Sequence, residues 1–196
     1  MGPCYDQRAV DNDPAFEAAI EALPRPLIFA SLGSMRLYND RGNIFRTVLD
    51  AFADGRFGVV IAVGAADPTA LGSLPANTLL LPYVPQLAVL ERASLFITHA
   101  GTNSVFESLL AGVPMLMLPQ GADQPIFAEH MEAIGLGHWL RAPDCEPAAL
   151  RAAIEAVLAN QDMVARVQAA GDELRRAGGA TRAAELLGTF AEQSHR

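Results

Sequence analysis

The sequence predicts an α/β fold, a Rossmann-like parallel sheet of about six strands with helices on both faces. Short continuous apolar runs recur along the chain, as strands buried on both faces require. Segments with helical spacing lie between them, at about the interval of βαβ units. Several runs also end in polar, glycine-containing tips, the place where parallel sheets bind ligands.

The first 26 residues are polar and broken by Pro3, Pro14, Pro24 and Pro26. They predict a linker-like lead with one short helix, Pro14 to Leu23, and residues 27–196 predict the folded domain. Leu27 to Ser31 is the first strand. Asn43 to Phe52 has helical spacing through Ile44, Val48 and Phe52. Gly58 to Val63 and Thr78 to Leu81 are further strands, and Leu87 to Arg92 is a short helix. Leu95 to Thr98 is a strand and Val105 to Leu110 a helix; Pro114 to Leu118 and Pro125 to Ile134 repeat the pair. His138 to Leu140 makes a short last strand. Three helices close the chain: Pro147 to Leu158, Asp162 to Ala177 and Thr181 to Phe190.

Composition narrows the chemistry. The chain has 196 residues, 51% of them hydrophobic. At roughly 150 residues per domain it is one domain with a lead, too short for a two-domain enzyme. Its net charge is −8, from 14 basic and 22 acidic residues, and every base is arginine. An acidic chain repels a phosphate backbone, so nucleic acid is not an expected partner. The lack of lysine excludes a P-loop and a Schiff-base lysine. Phosphate, if bound, must be held by backbone amides, hydroxyls, histidine or arginine. Cys4 and Cys145 are far apart and form no CxxC, which predicts two reduced thiols. No Cys/His metal cluster is visible. Asp11-Asn12-Asp13 spells D-x-D, but in the polar lead, not at a strand tip. The N-terminus lacks a signal-peptide pattern. The apolar run Leu109 to Leu118 is too short to span a bilayer. A cytoplasmic protein without integral membrane association is expected.

Four strand tips carry the chemistry: Ser31-Leu32-Gly33-Ser34, Pro82 to Gln86, His99 to Ser104, and Pro119 to Gln124. After the strand ending at Thr98, Gly101 turns the chain and a helix begins near Ser104. Amides at such a helix end attract an anion without lysine. His99, Asn103 and Ser104 add donors, so this tip is a candidate diphosphate cradle. Ser104-Val105-Phe106-Glu107 also fits a capping box, which would satisfy the helix end on its own. Glu107 could accept both hydroxyls of a ribose, or serve the cap; the two roles compete. Asp123 and Gln124 could grip vicinal sugar hydroxyls, or Asp123 could cap the helix that Pro125 opens. Tyr83 could stack on a base or be a core-edge aromatic, and Gln86 could bond to base or ribose. Together the tips spell base, ribose, diphosphate and sugar. There is no GxGxxG, P-loop or G-x-S-x-G elbow.

The run Tyr83-Val84-Pro85-Gln86-Leu87, then Phe96 to Glu107, then Ala111-Gly112-Val113-Pro114, Pro119 and Asp123-Gln124 resembles the donor-binding signature of UDP-glycosyltransferases. These are the GT-B-fold enzymes that glycosylate macrolides, carotenoids, flavonoids and similar molecules. Ser31 to Ser34 is similar to the first loop of the family's C-terminal domain, and Gly2-Pro3-Cys4 to the end of its interdomain linker. The resemblance covers nearly the whole chain, but only the C-terminal half of the family's fold. It implies that Tyr83 stands where plant members carry a base-stacking Trp. Gln86 would lie near base and ribose, and Glu107 would hold the ribose diol. His99, Gly101, Asn103 and Ser104 would contact the diphosphate, with Ser34 assisting. Asp123 and Gln124 would bind the sugar, Gln124 leaning toward glucose. Tyr83 in place of Trp leaves uracil and thymine open, and Thr102 replaces the family's second Trp.

The resemblance further implies the donor half of an inverting glycosyltransferase. Such an enzyme moves a hexose from a UDP- or dTDP-sugar to a hydroxyl of a small-molecule acceptor, without metal or other cofactor. The family's catalytic histidine and acceptor pocket belong to the N-terminal half, so no catalytic residue is expected here. His130, His138 and His195 are not placed to substitute, and this chain alone is expected to be inactive. Alternatives are a donor-binding subunit of a natural two-chain glycosyltransferase, a nucleotide-sugar epimerase and a non-catalytic nucleotide-binding module.

Overall fold

A computed structural model describes residues 2–3, 13–34, 44–64, 66–141 and 145–194. Cys4, Asp11, Asn12, Asn43 and His195 lie outside the described residues.

Six strands form one parallel sheet: β1 (Leu27–Ser31), β2 (Gly58–Ala62), β3 (Thr78–Leu81), β4 (Leu95–Thr98), β5 (Met115–Met117) and β6 (Gly137–Trp139). Their spatial order is β3-β2-β1-β4-β5-β6, and every pairing is parallel. The helices are α1 (Pro14–Glu21), α2 (Ile44–Ala51), α3 (Gln86–Leu90), α4 (Thr102–Ala111), α5 (Gln124–Ala133), α6 (Pro147–Ala159), α7 (Gln161–Arg176) and α8 (Gly179–Ser194). A 3-10 turn covers Pro68–Leu71. The predicted fold class and all six strands are therefore present, with ends shifted by a residue or two. β6, for example, starts at Gly137 and not at His138.

The apolar runs are continuous because alternate residues serve opposite faces. Ile28 and Ala30 join Val59, Ile61, Leu95 and Ile97 on one face, beneath Phe45, Val48 and Leu49 of α2 and Leu150, Ile154 and Val157 of α6. Leu27 and Phe29 join Val60 and Phe96 on the other, beneath Ile20 of α1 and Val89 and Leu90 of α3. Phe29 and Phe96 stack with ring centroids 4.7 Å apart, across the β1–β4 pair. On that same face Met115 and Met117 of β5 meet Val105 and Leu109 of α4, Ala128 and Met131 of α5, and Val167 of α7.

Two contacts fix the elements that carry the site. α4 and α7 cross closely because Gly171 has no side chain; a β-carbon there would lie 2.2 Å from the Leu109 carbonyl oxygen. α1, within the lead, packs on the body of the domain: Ile20 is fully buried, and Glu17 is paired with Arg92 beyond α3. Asp13 caps α1 by accepting from the Ala15 amide at 2.9 Å, so this carboxylate of the D-x-D sequence has a structural partner. Along α8, Leu187 and Phe190 are each 70% exposed. No helix among the described residues is long and apolar enough to cross a membrane.

Candidate functional site

Strand order reverses between β1 and β4, so the connections after these strands leave in opposite directions and open a crevice at their carboxyl ends. A cleft of about 260 Å³ lies there. Ser31 at the end of β1, with Gly33 and Ser34 after it, forms one wall; Ala62 at the end of β2, Gly64 after it and Pro82 to Val84 after β3 form another. Gln86 of α3 and Ser104 and Glu107 of α4 complete it. Of the expected site residues, Ser34, Tyr83, Gln86, Ser104 and Glu107 thus face one cavity. Tyr83 is 83% exposed, its ring available at the mouth.

α4 begins at Thr102 with Gly101 as its N-cap, two residues before the helix start expected near Ser104. This corrects the capping-box expectation. Ser104 sits in the third helical position, not at the cap, and Gly101 offers no capping side chain. Glu107 is consequently free of the helix end. It accepts from Gln86 Nε2 at 2.5 Å, and the same nitrogen lies 3.4 Å from Ser104 Oγ. Burial pushes the Glu107 carboxyl above the ordinary glutamate range, while the bond from Gln86 opposes that rise.

His99 follows β4 directly. Its ring is pressed between two strand tips: a β-carbon on Gly33 would come within 2.9 Å of the ring, and one on Gly101 within 2.3 Å of Nε2. Gly33 also has φ +82°, a conformation that glycine alone takes without strain. The ring is thus wedged against Gly33, which lines the cleft, while His99 itself is not among the cleft-lining residues. Its Nδ1 is buried without a hydrogen-bond partner among the described residues. Burial holds the imidazole below the ordinary histidine range, against the opposing influences of the Ser31 carbonyl and the Asp123 charge.

Asn103 is exposed on the first turn of α4. Asp123 and Gln124 lie after β5, outside the cleft lining. Asp123 is the N-cap of α5 but makes no side-chain cap bond, so its exposed carboxylate is not consumed by the helix. Gln124, expected at the sugar, is bonded within the protein through its carboxamide oxygen. It is buried, and its Oε1 accepts from the amides of Gln120 at 2.7 Å and Gly121 at 3.2 Å. That oxygen closes the loop that presents Asp123.

Sequence reasoning missed two backbone features. Ala100 (φ 64°) and Ala122 (φ 56°) are left-handed non-glycine residues, one in the loop after β4 and one in the loop after β5. Such strain costs of order 1–3 kcal/mol and collects at ligand-handling loops. Ser31, the last residue of β1, is buried at the cleft wall. No signal in the sequence of β1 distinguishes it from the other buried positions of the strand.

Residues 9–167 match the family described as UDP-glucoronosyl and UDP-glucosyl transferase. This chain belongs to that family. Within it, the NDP-glycosyltransferase YjiC of Bacillus subtilis is 37% identical over 171 residues, which is 87% of this chain and 43% of that protein. The crystal structure of the calicheamicin glycosyltransferase CalG4 superposes with a TM-score of 0.83 at 32% identity, over 89% of this chain and 45% of that one. That of the glycosyltransferase VinC in complex with dTDP gives 0.76 at 26% identity, over 90% of this chain and 44% of that one. This member of the UDP-glucosyltransferase family thus spans less than half the length of these relatives.

Proposed function

We propose that this chain is the donor-binding half of an inverting glycosyltransferase, moving a hexose such as glucose from a UDP- or dTDP-sugar to a hydroxyl of a small-molecule acceptor. The observation that carries the reading is the cleft at the β1/β4 reversal, where the Glu107 carboxylate stands one turn from Ser104 on a helix that begins at a glycine. A carboxylate there suits the hydroxyls of a ribose, and the start of α4 suits a diphosphate. Tyr83 at the mouth would stack on the base. Ser34, His99, Gly101 and Asn103 would surround the phosphates, and Asp123 would hold the sugar, with Gln124 bracing its loop.

In the complete enzyme a base from the other half would deprotonate the acceptor hydroxyl. Its oxygen would attack the anomeric carbon and expel the nucleoside diphosphate. The helix end and its donors would stabilise the charge gathering on the leaving group, a preorganised electrostatic role that needs no metal. The bound dTDP of VinC supports dTDP as one of the two candidate nucleotides.

Calorimetric titration with UDP, dTDP and their glucose conjugates tests this. Binding of a nucleotide diphosphate, lost in Glu107→Ala, is the expected result. No heat at millimolar ligand would overturn the proposal.

A further inference from the structure

β6 is the last strand on its side of the sheet, and an open strand edge is a template for another backbone. β6 pairs with β5 in parallel, with Met117 opposite Trp139. The Leu140 amide donates to the Met117 carbonyl at 3.1 Å. Backbone groups alternate sides along a strand, so the amide and carbonyl of Trp139 point away from β5. Among the described residues no strand lies on that side. Trp139 is therefore the place where a further strand would be received.

Both of its groups are already engaged. The Trp139 amide donates to Glu132 Oε1 at 2.8 Å, and the Trp139 carbonyl accepts from Arg141 Nη1 at 2.8 Å. Arg141 Nη1 also donates to Glu132 Oε2 at 2.8 Å, so its two protons serve two acceptors. The bonds form a closed ring through Trp139, Glu132 and Arg141. The Arg141 guanidinium lies 4.0 Å from the centre of the Trp139 indole, held there by the attraction of a cation for an aromatic face. His138 Nδ1, 3.0 Å from Glu132 Oε1, ties the carboxylate further to β6. Glu132 belongs to the last turn of α5, and Arg141 follows β6. Together they offer Trp139 one acceptor and one donor. Two residues exchange that same pair of bonds where antiparallel strands meet.

We propose that Glu132 and Arg141 act as a surrogate strand that closes the β6 edge, and that the partner they exclude is the same edge of a second copy of this chain, antiparallel across a twofold axis. What the edge offers beneath the pair is bare backbone, which every copy carries, and antiparallel exchange at Trp139 is complementary to itself. A second copy can reach those groups only after the ring of bonds is broken. None of these residues lines the cleft, so the inference goes beyond the nucleotide-sugar reading and does not depend on it.

Trp139 is the only tryptophan of the chain, so its fluorescence reports on the edge directly. Self-association of the whole chain is measured by sedimentation over about 1–100 μM. A reductant is kept present, so that Cys4 and Cys145 cannot cross-link copies. Glu132→Ala/Arg141→Ala opens the edge. It is expected to associate at least about tenfold more tightly than the parent, as a pair of backbone hydrogen bonds across the axis would give. Its tryptophan emission should change in step with the dimer. At concentrations where both are monomeric, the Trp139 amide should exchange its hydrogen at least about tenfold faster in the variant than in the parent. Glu132→Gln keeps an oxygen for that amide and should associate no more than the parent. Circular dichroism checks folding. If the double variant does not fold, Arg141→Ala alone, which frees the Trp139 carbonyl and leaves Glu132 in place, carries the same expectation at reduced strength.

A folded variant that associates no more tightly than the parent would overturn the proposal. Equal association in parent and variant would come from a face that both share, such as the exposed Leu187 of α8, and would overturn it as well. So would a dimer of the variant whose Trp139 emission matches that of its monomer.

Discussion

The imidazole of His99 lies so close to Gly101 that a β-carbon on the glycine would stand 2.3 Å from Nε2. Two residues apart in sequence, they form a ring and its seat, with Gly33 of another strand tip closing the opposite side. Gly101 has ordinary helix-cap dihedrals, φ −65° and ψ 143°, so alanine fits the backbone there and collides only with the ring. Gly101→Ala is expected to cost about 1–3 kcal/mol, the usual range for overpacking. His99→Ala/Gly101→Ala should recover most of that relative to Gly101→Ala alone, since the clash needs both side chains. Urea denaturation of the set measures it; additive effects would mean that the ring moves aside freely.

His99 also gives a pH dependence whose sign follows from burial. Its native pKa is held below the ordinary histidine value, so the unfolded chain binds more protons as pH falls through about 6.5. Stability then declines with acidification in that window. His99→Gln lacks the ring and should show a smaller drop in urea midpoint between about pH 7.5 and pH 5.5. An equal drop in variant and parent would remove His99 as the source.

Glu107 predicts a conflict between stability and binding. Burial raises its carboxyl pKa, so the charged form costs the folded state at neutral pH. Glu107→Gln should raise the melting temperature at pH 7, and the gain should vanish as pH falls below the ordinary glutamate pKa of about 4.3, where glutamate is neutral in both states. The same substitution should weaken UDP and dTDP binding. A variant that is less stable than the parent at pH 7 would show that the carboxylate is structural.

Phe29 and Phe96 stack at the β1–β4 pair, fully buried, directly beneath the strand reversal. Phe96→Ala should cost about 3–5 kcal/mol in equilibrium unfolding. Phe96→Leu, which keeps most of the volume, should cost less than Phe96→Ala. Equal costs would mean that the core closes over the deletion.

The sheet was legible because strands such as Leu27–Ser31 and Leu95–Thr98 are unbroken apolar runs, and only two-sided burial makes such runs stable. The cleft was legible as a set of polar tips, five of whose expected residues do converge. What was not legible depended on contacts between tips. Ser-x-x-Glu at 104–107 has the residue types of a cap, but Gly101 starts the helix and frees the glutamate. Gln124 has the chemistry to hold a sugar, yet its carboxamide oxygen turns back to the amides of Gln120 and Gly121. The seat of His99 needed Gly33, which pairing of β1 with β4 brings to it.

The walls of the cleft come from the tips of β1, β2 and β3 and from the helix that follows β4. No fragment lacking one of them encloses the site. A ligand that selects only this enclosed state would stabilise it by RT ln(1 + [L]/Kd). Amide hydrogen exchange should then slow throughout the central strands upon nucleotide binding, not merely in the loops that touch it. In this fold the ligand acts as a reporter of the whole sheet, and a partly folded chain would be blind to it.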